Sequence, residues 1–304
     1  MHINSYVILH SPLFIFHLFM SLLTLVWFAI CAIVHELGHF LVGHGLGCKV
    51  TRFQIFLSPL YSFRFPPRKD GKPSWRDTEF SIGWLPLAGL TVFDVPSNYT
   101  NLVPLSTVNP DGTAEENEGK YMGWTKEGKP VQVARRQFLH LRPAWQRLCV
   151  SLAGVIFNLL FALLLMGIMV FCAVSQKHGV WGFAELKESL LSTFQIFGYS
   201  FLDASAVVTG LFGFDFSISQ VSQPIYDIYQ FLYAHSFAYG LAIYSIVLFF
   251  INILPIYPLD GGHAVFEIYE IITGKQPPQT VRTVLSWVGS ILFIILFWIL
   301  PMLR

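Results

Sequence analysis

The sequence predicts a membrane all-α bundle of four transmembrane helices, with a β-hairpin region, cytoplasmic or re-entrant, after the first helix. Three observations carry that fold class. Hydrophobic residues make up 54% of the chain and charged residues only 12%, about half the charged share of soluble domains. Charge is wholly absent from four stretches, each longer than the roughly 20 residues that a helix needs to cross a hydrocarbon core. Between the first two of these stretches lie β-branched and aromatic runs flanking a hairpin turn signal.

The first uncharged stretch, Met1 to His35, predicts a span over about 13–44. It lacks a basic n-region and a small-residue cleavage site, so a permanent helix is expected rather than a cleaved signal peptide. Next come Thr51 to Phe65 and Thr78 to Leu85, separated by Arg68-Lys69-Asp70-Gly71-Lys72, and Asp-Gly is a strong hairpin turn. Pro86-Leu87-Ala88-Gly89-Leu90 is apolar enough to dip back into the membrane, where irregular backbone is tolerated only against protein or a wet cavity. Asp94 to Arg142, polar and rich in Asn, Pro, Gly and acids, reads as a solvent loop. The second uncharged stretch, Leu148 to Gln176, predicts a span over about 146–175. The third, Ile228 to Leu259, predicts one over about 232–258, and the fourth, Thr283 to Leu303, one over about 283–303. Within the intervening segment of about 176–231, the apolar run Leu190 to Leu202 is too short to cross and is expected in the interface or against the bundle. The whole of 1–304 reads as one polytopic domain.

Fourteen of the nineteen Lys and Arg residues fall between Lys49 and Arg147, and none precedes the first span. The positive-inside rule then places the hairpin and loop of about 49–145 in the cytoplasm, with both termini and the 176–231 segment outside. The expected location is a cell membrane, the inner one in a Gram-negative cell, with the lipid bilayer and not nucleic acid as the surrounding partner. Cys31, Cys48, Cys149 and Cys172 lie in or beside spans without metal-like spacing and read as small apolar residues.

Chemistry concentrates at His35-Glu36-Leu37-Gly38-His39. On a helix, residues four apart project from one face, so two imidazoles can hold one Zn²⁺ while Glu36 serves the metal-bound water as general base. Glu36 is also the first formal charge in the chain, and a carboxylate inside an apolar span costs about 2.5–3.5 kcal/mol on insertion scales. A purely structural helix has no reason to carry it. The bland reading is a polar helix end with a snorkelling Glu36 and two interfacial histidines.

A catalytic zinc takes three protein ligands and keeps one open position. A metzincin extension would need Gly at position 42 and His at position 45, where the chain has Val42 and Gly45, so His44 is left as an ordinary polar residue. Asp260 is the leading third ligand. It follows two prolines and precedes two glycines in Asn252-Ile253-Leu254-Pro255-Ile256-Tyr257-Pro258-Leu259-Asp260-Gly261-Gly262-His263, a segment that cannot stay helical and must line a cavity. The competing readings are Asp260 as a helix N-cap, and His263, Glu267 or Glu270 as the ligand instead.

Together these segments resemble the site-2 protease family of intramembrane zinc proteases, in particular the bacterial branch that cleaves anti-sigma factors and signal-peptide remnants. The resemblance extends from His35 through Val42 to Pro86-Leu87-Ala88-Gly89, to Ala153-Gly154-Val155-Ile156-Phe157-Asn158 and to Asn252 through Gly262. It implies zinc held by His35, His39 and Asp260 with Glu36 as catalytic base. It also implies substrate contacts from Asn252, Asn158, Gly89 and the hairpin edge, and single-span membrane proteins as substrates. Two departures stand out: Val155 replaces the usual proline, and the 176–231 segment is too short for the PDZ domain common in that branch. Other classes that the residues admit are a metal-free scaffold of the same fold and an ion-coupled transporter, which should show repeated halves with matching broken helices.

Overall fold

The computed structural model describes residues 12–65, 78–85, 89–108, 114–125, 128, 130–178, 183–211 and 237–295. The expected turn at Arg68 to Lys72, the apolar Pro86-Leu87-Ala88 and the far end of the fourth predicted span lie outside them. The described residues form a mostly helical protein with six α-helices and two small β-sheets. Helices α1 (Pro12–Gly45) and α2 (Ala144–His178) contain stretches long and apolar enough to cross a membrane, Leu25–Gly45 and Ala144–Ala173. Helix α3 covers Phe183–Leu211, α4 Phe237–Ile253, α5 Asp260–Thr273 and α6 Gln279–Ile294. With 17 and 16 described residues, α4 and α6 are apolar but shorter than a full crossing.

The chain packs as two units. One comprises Met1–His35, Leu85–Ala88 and Val155–Asn252. Its core is an interleaving of α2, α3 and α4, in which Ala162, Met166 and Val170 meet Ile196, Ala204, Tyr239, Ala242 and Ile246. Helix α3 contains the run Leu190 to Leu202, and Ile196 from that run is buried in this cluster. Two buried hydroxyls here are paired, as burial in an apolar bundle favours: Ser200 Oγ lies 2.8 Å from the Tyr239 hydroxyl, and Ser245 Oγ donates to the Asn158 carbonyl at 2.8 Å.

The second unit comprises Glu36–Trp84, Gly89–Gly154 and Ile253–Arg304. Helix α1 ends here in a Schellman motif. Gly47 takes φ +79°, its N–H donates to His44 O at 2.8 Å, and Cys48 N–H donates to Gly43 O at 2.9 Å. The chain then enters strand β1 (Val50–Ile55), and Phe40 of the helix packs on Val50 and Phe53, with Ile55, Phe80 and Phe93 around them.

The β region is larger than a hairpin. The run Thr51 to Phe65 does not form one strand, because Phe56 sits at φ +65° and turns the chain between β1 and β2 (Leu57–Phe65). Strand β3 (Glu79–Leu85) pairs in parallel with β1, with Phe53 opposite Phe80. Strand β4 (Leu90–Phe93) pairs antiparallel on the other side of β1, giving the order β2-β3-β1-β4. Strands β2 and β3 are the neighbours that the turn signal foretells, and β1 and β4 widen them into a sheet.

The supposed solvent loop is also corrected. Strands β5 (Tyr99–Val108), β6 (Ala114–Thr125) and β7 (Pro130–Ala134) form a second, antiparallel sheet. Its strands carry Glu, Asn, Gly and Pro, residues poor in β propensity, and are held by backbone pairing such as Tyr121 opposite Val133. Buried Asp94 anchors the start of this sheet, accepting hydrogen bonds from Val95 N–H, Asn98, Tyr99 and Gln137, with Lys49 Nζ at 3.7 Å.

Candidate metal centre

Helix α1 runs unbroken through His35 and His39, so the helical repeat alone sets the two rings on one side, one turn apart. His39 is buried, and its Nδ1 lies 2.7 Å from the Val150 carbonyl on α2. That carbonyl can only accept, so Nδ1 carries a proton and Nε2 is the nitrogen left to ligate an ion. Nε2 lies 3.3 Å from Asp260 Oδ2. A tetrahedral zinc site with bonds of about 2.0–2.1 Å has ligand-to-ligand edges of about 3.3 Å, so this pair already has the spacing that a shared ion requires. One ligand atom from each of His35, His39 and Asp260 lies within 4.8 Å of the others. Two imidazoles and a carboxylate are a donor set that fits catalytic zinc.

Asp260 reaches this position because the chain between α4 and α5 is tightly constrained. It is the first residue of α5, with Leu259 as the N-cap, so the N-cap reading of Asp260 does not hold. A Cβ on Gly261 would press into the carbonyls of Ile253 and Leu254. One on Gly262 would lie 2.6 Å from Tyr257 N, and one on Gly289 of α6 2.6 Å from Tyr257 O. The glycines after Asp260 are thus required by close backbone approach.

The alternative ligands are engaged elsewhere. Arg147 Nε donates to Glu267 Oε2 at 2.7 Å and Arg147 also bonds Glu270, while the His263 ring packs on Tyr257 with centroids 4.8 Å apart. His44 stacks on Phe40.

Glu36 follows His35 on α1 and is met by the start of β4. A Cβ on Gly89 would collide with Glu36 Cγ and lie 3.0 Å from its Cδ and 3.2 Å from Gln54 O, so only glycine lets the backbone pass this close. Thr91 Oγ1 donates to Glu36 Oε2 at 2.7 Å. Among the other expected site residues, Asn158 is fully buried with Nδ2 3.4 Å from His35 Nδ1. Asn252 donates to Leu248 O within its own helix. Sequence reasoning did not find Thr91 or the Val150 carbonyl. No motif marks either, since both act through contacts distant in sequence.

Comparison with known proteins gives the same direction. A metalloprotease of Caulobacter vibrioides, MmpA, is 28% identical over 145 residues, covering 47% of this chain and 31% of its own length. A Rickettsia conorii protein that carries the name of a zinc metalloprotease is 46% identical over 56 residues, 18% of this chain and 16% of its own length. A Xylella fastidiosa protein named likewise is 29% identical over 162 residues, 53% of this chain and 28% of its own length. The matched segments thus span less than a third of each of these relatives. The sequence model of Peptidase family M50 matches residues 23–296, from the middle of α1 to just past α6, and so takes in His35, Glu36, His39 and Asp260. By that match over most of its length, the chain belongs to peptidase family M50, the membrane-embedded site-2 proteases.

Proposed function

We infer that the chain is a zinc metalloendopeptidase that hydrolyses peptide bonds of single-span membrane proteins within the bilayer or at its edge. The observation that carries this reading is the meeting of His39 with Asp260 at 3.3 Å, with His35 and Glu36 one turn earlier on the helix that bears His39. In this reading His35, His39 and Asp260 hold the ion. When bound, zinc would polarise the scissile carbonyl and bring the pKa of a bound water toward about 7. The Glu36 carboxylate would act as the general base, taking up a proton and returning it to the leaving amide nitrogen. The Val150 carbonyl holds the His39 ring in the tautomer that ligates.

A transmembrane helix shields its own peptide bonds, so the substrate must unwind locally before attack. Strand β4 is an edge of its sheet among the described residues, and it begins beside Glu36. An extended substrate segment added to that edge would pass the carboxylate. The topology in this reading has four crossings, over about 13–44, 146–175, 232–258 and 283–303, with both termini extracytoplasmic and the site toward the cytoplasm. The concentration of Lys and Arg between Lys49 and Arg147 supports it. Anti-sigma factors and signal-peptide remnants are the substrate classes to try first.

The test is Glu36→Gln in the purified protein. Zinc content should stay at one per chain while cleavage of a model single-span reporter vanishes, because the amide keeps the shape but cannot take the proton. Cleavage within about tenfold of wild type would end the general-base assignment.

A further inference from the structure

We propose that Thr91 is the positioning residue for the Glu36 carboxylate, a role that rests on the peptidase reading above and deepens it. Glu36 has three rotatable side-chain bonds and must hold one oxygen toward a water molecule throughout the reaction. Two features, one just before β4 and one within it, restrict it. The Gly89 backbone lies against Cγ and Cδ and blocks the carboxylate from swinging toward the sheet. The Thr91 hydroxyl lies 2.7 Å from Oε2 and 3.3 Å from the Glu36 carbonyl oxygen, close to both the side chain and the backbone of the same residue.

A hydroxyl has one proton to give, and the shorter contact takes it. With Oε2 engaged, Oε1 is the oxygen left to receive the proton from water. Thr91 is itself held in place by the pairing of β4 with β1, where it stands opposite Phe53, a residue of the buried cluster that also contains Phe40 of α1. The hydroxyl and the helix carrying Glu36 are therefore joined through one small core. The Thr91 hydroxyl touches neither substrate nor metal in this scheme. It acts only through Glu36.

The experiment uses the full chain in detergent, loaded with zinc, with two readouts. The first is kcat and KM for a fluorescent single-span reporter. The second is the affinity for acetohydroxamate, a zinc-binding probe whose proton is shared with a neighbouring carboxylate, which reads the orientation of Glu36 without turnover. Thr91→Val, which keeps the shape and removes the donor, is expected to lower kcat about tenfold to hundredfold with KM within about twofold, as loss of a hydrogen bond to a charged group implies. Acetohydroxamate affinity should fall about tenfold in the same variant. Zinc content and thermal unfolding should match wild type, and Thr91→Ser should restore both readouts.

Glu36→Asp shortens the side chain by one methylene and takes the carboxylate out of reach. In that background Thr91→Val should have no further effect on probe affinity. The proposal is overturned if Thr91→Val leaves both readouts at wild-type values, if Thr91→Ser fails as badly as Thr91→Val, or if Thr91→Val weakens the probe equally in the Glu36→Asp background. A zinc-loaded chain that cuts no reporter yet shows the expected probe losses would keep Thr91 in its role and sink the peptidase reading instead.

Discussion

Replacing Gly261 with alanine should remove zinc while leaving both histidines in place. The added Cβ would sit 2.5 Å from the Ile253 carbonyl carbon and press against the Ile253 and Leu254 oxygens. Unstrained carbon contacts lie at about 3.5–4.0 Å, so relief needs a displacement of about 1 Å. The obstructing atoms are backbone at the end of α4 and cannot rotate aside, so the start of α5 must move. Asp260 directly precedes Gly261, and its carboxylate moves with it. Metal–ligand distances tolerate only about 0.2 Å, so a shift of about 1 Å breaks the third bond and should weaken zinc at least about a hundredfold. Overpacking should also lower stability by about 1–3 kcal/mol. Gly45→Ala is the control, because a Cβ there meets nothing within 4 Å. Zinc affinity is read by competition with a chromophoric chelator, and fold integrity by thermal unfolding of the zinc-free proteins. A folded Gly261→Ala protein that binds zinc within about threefold of wild type would refute the claim that this turn sets the position of Asp260.

Three further outcomes follow from the same geometry. Elemental analysis should find about one zinc per chain in the wild type and none retained through purification in His35→Ala, His39→Ala or Asp260→Ala, since two remaining ligands cannot hold the ion. Full retention in Asp260→Ala would return the third-ligand role to His263 or Glu267. Arg147→Met should destabilise the fold by about 3–5 kcal/mol, because it leaves the buried Glu267 carboxylate without its cation. Burial already holds the Glu267 carboxyl above its ordinary pKa of 4.5, against the opposing pull of Arg147, and the variant raises it further. A carboxyl with a raised folded-state pKa favours the fold when protonated. The penalty in thermal unfolding should therefore be smallest below pH 4.5 and grow as pH rises through the folded-state value. A pH-independent penalty would contradict this. Finally, a reporter with glycines near the scissile bond should be cut faster than one with an all-leucine span, because glycine costs the helix about 1 kcal/mol per residue relative to alanine. Equal rates would exclude local unwinding as a requirement.

The grouping of His35, Glu36 and His39 on one helix was legible in the sequence because everything it needs is local. His35, Glu36 and His39 fall within a little more than one turn of a helix that composition alone predicts, so their shared face follows from the helical repeat. Asp260 was legible for a related reason: prolines and glycines in an apolar stretch mark where helix must stop, and the break between α4 and α5 falls there. Of the four expected crossings, two fall on described helices long and apolar enough to span, Leu25–Gly45 and Ala144–Ala173, while those over about 232–258 and 283–303 fall on apolar helices whose described residues are too short to cross.

What tertiary structure alone decided is everything that depends on pairing at a distance. No local pattern in Thr51 to Phe65 announces that Phe56 turns the chain or that β1 joins β3 in parallel, because strand partners are chosen by burial against α1. The second sheet escaped notice because its strands are polar and are held by backbone pairing, although Asp111-Gly112, between β5 and β6, was an available turn signal. Thr91 and the Val150 carbonyl meet Glu36 and His39 across 55 and 111 residues of sequence. The candidate ligands are set by spacing along one helix and by a break between two others. The groups that aim them come from strands and helices brought close only when the sheet and the helices pack, and contacts of that kind leave no period in the sequence.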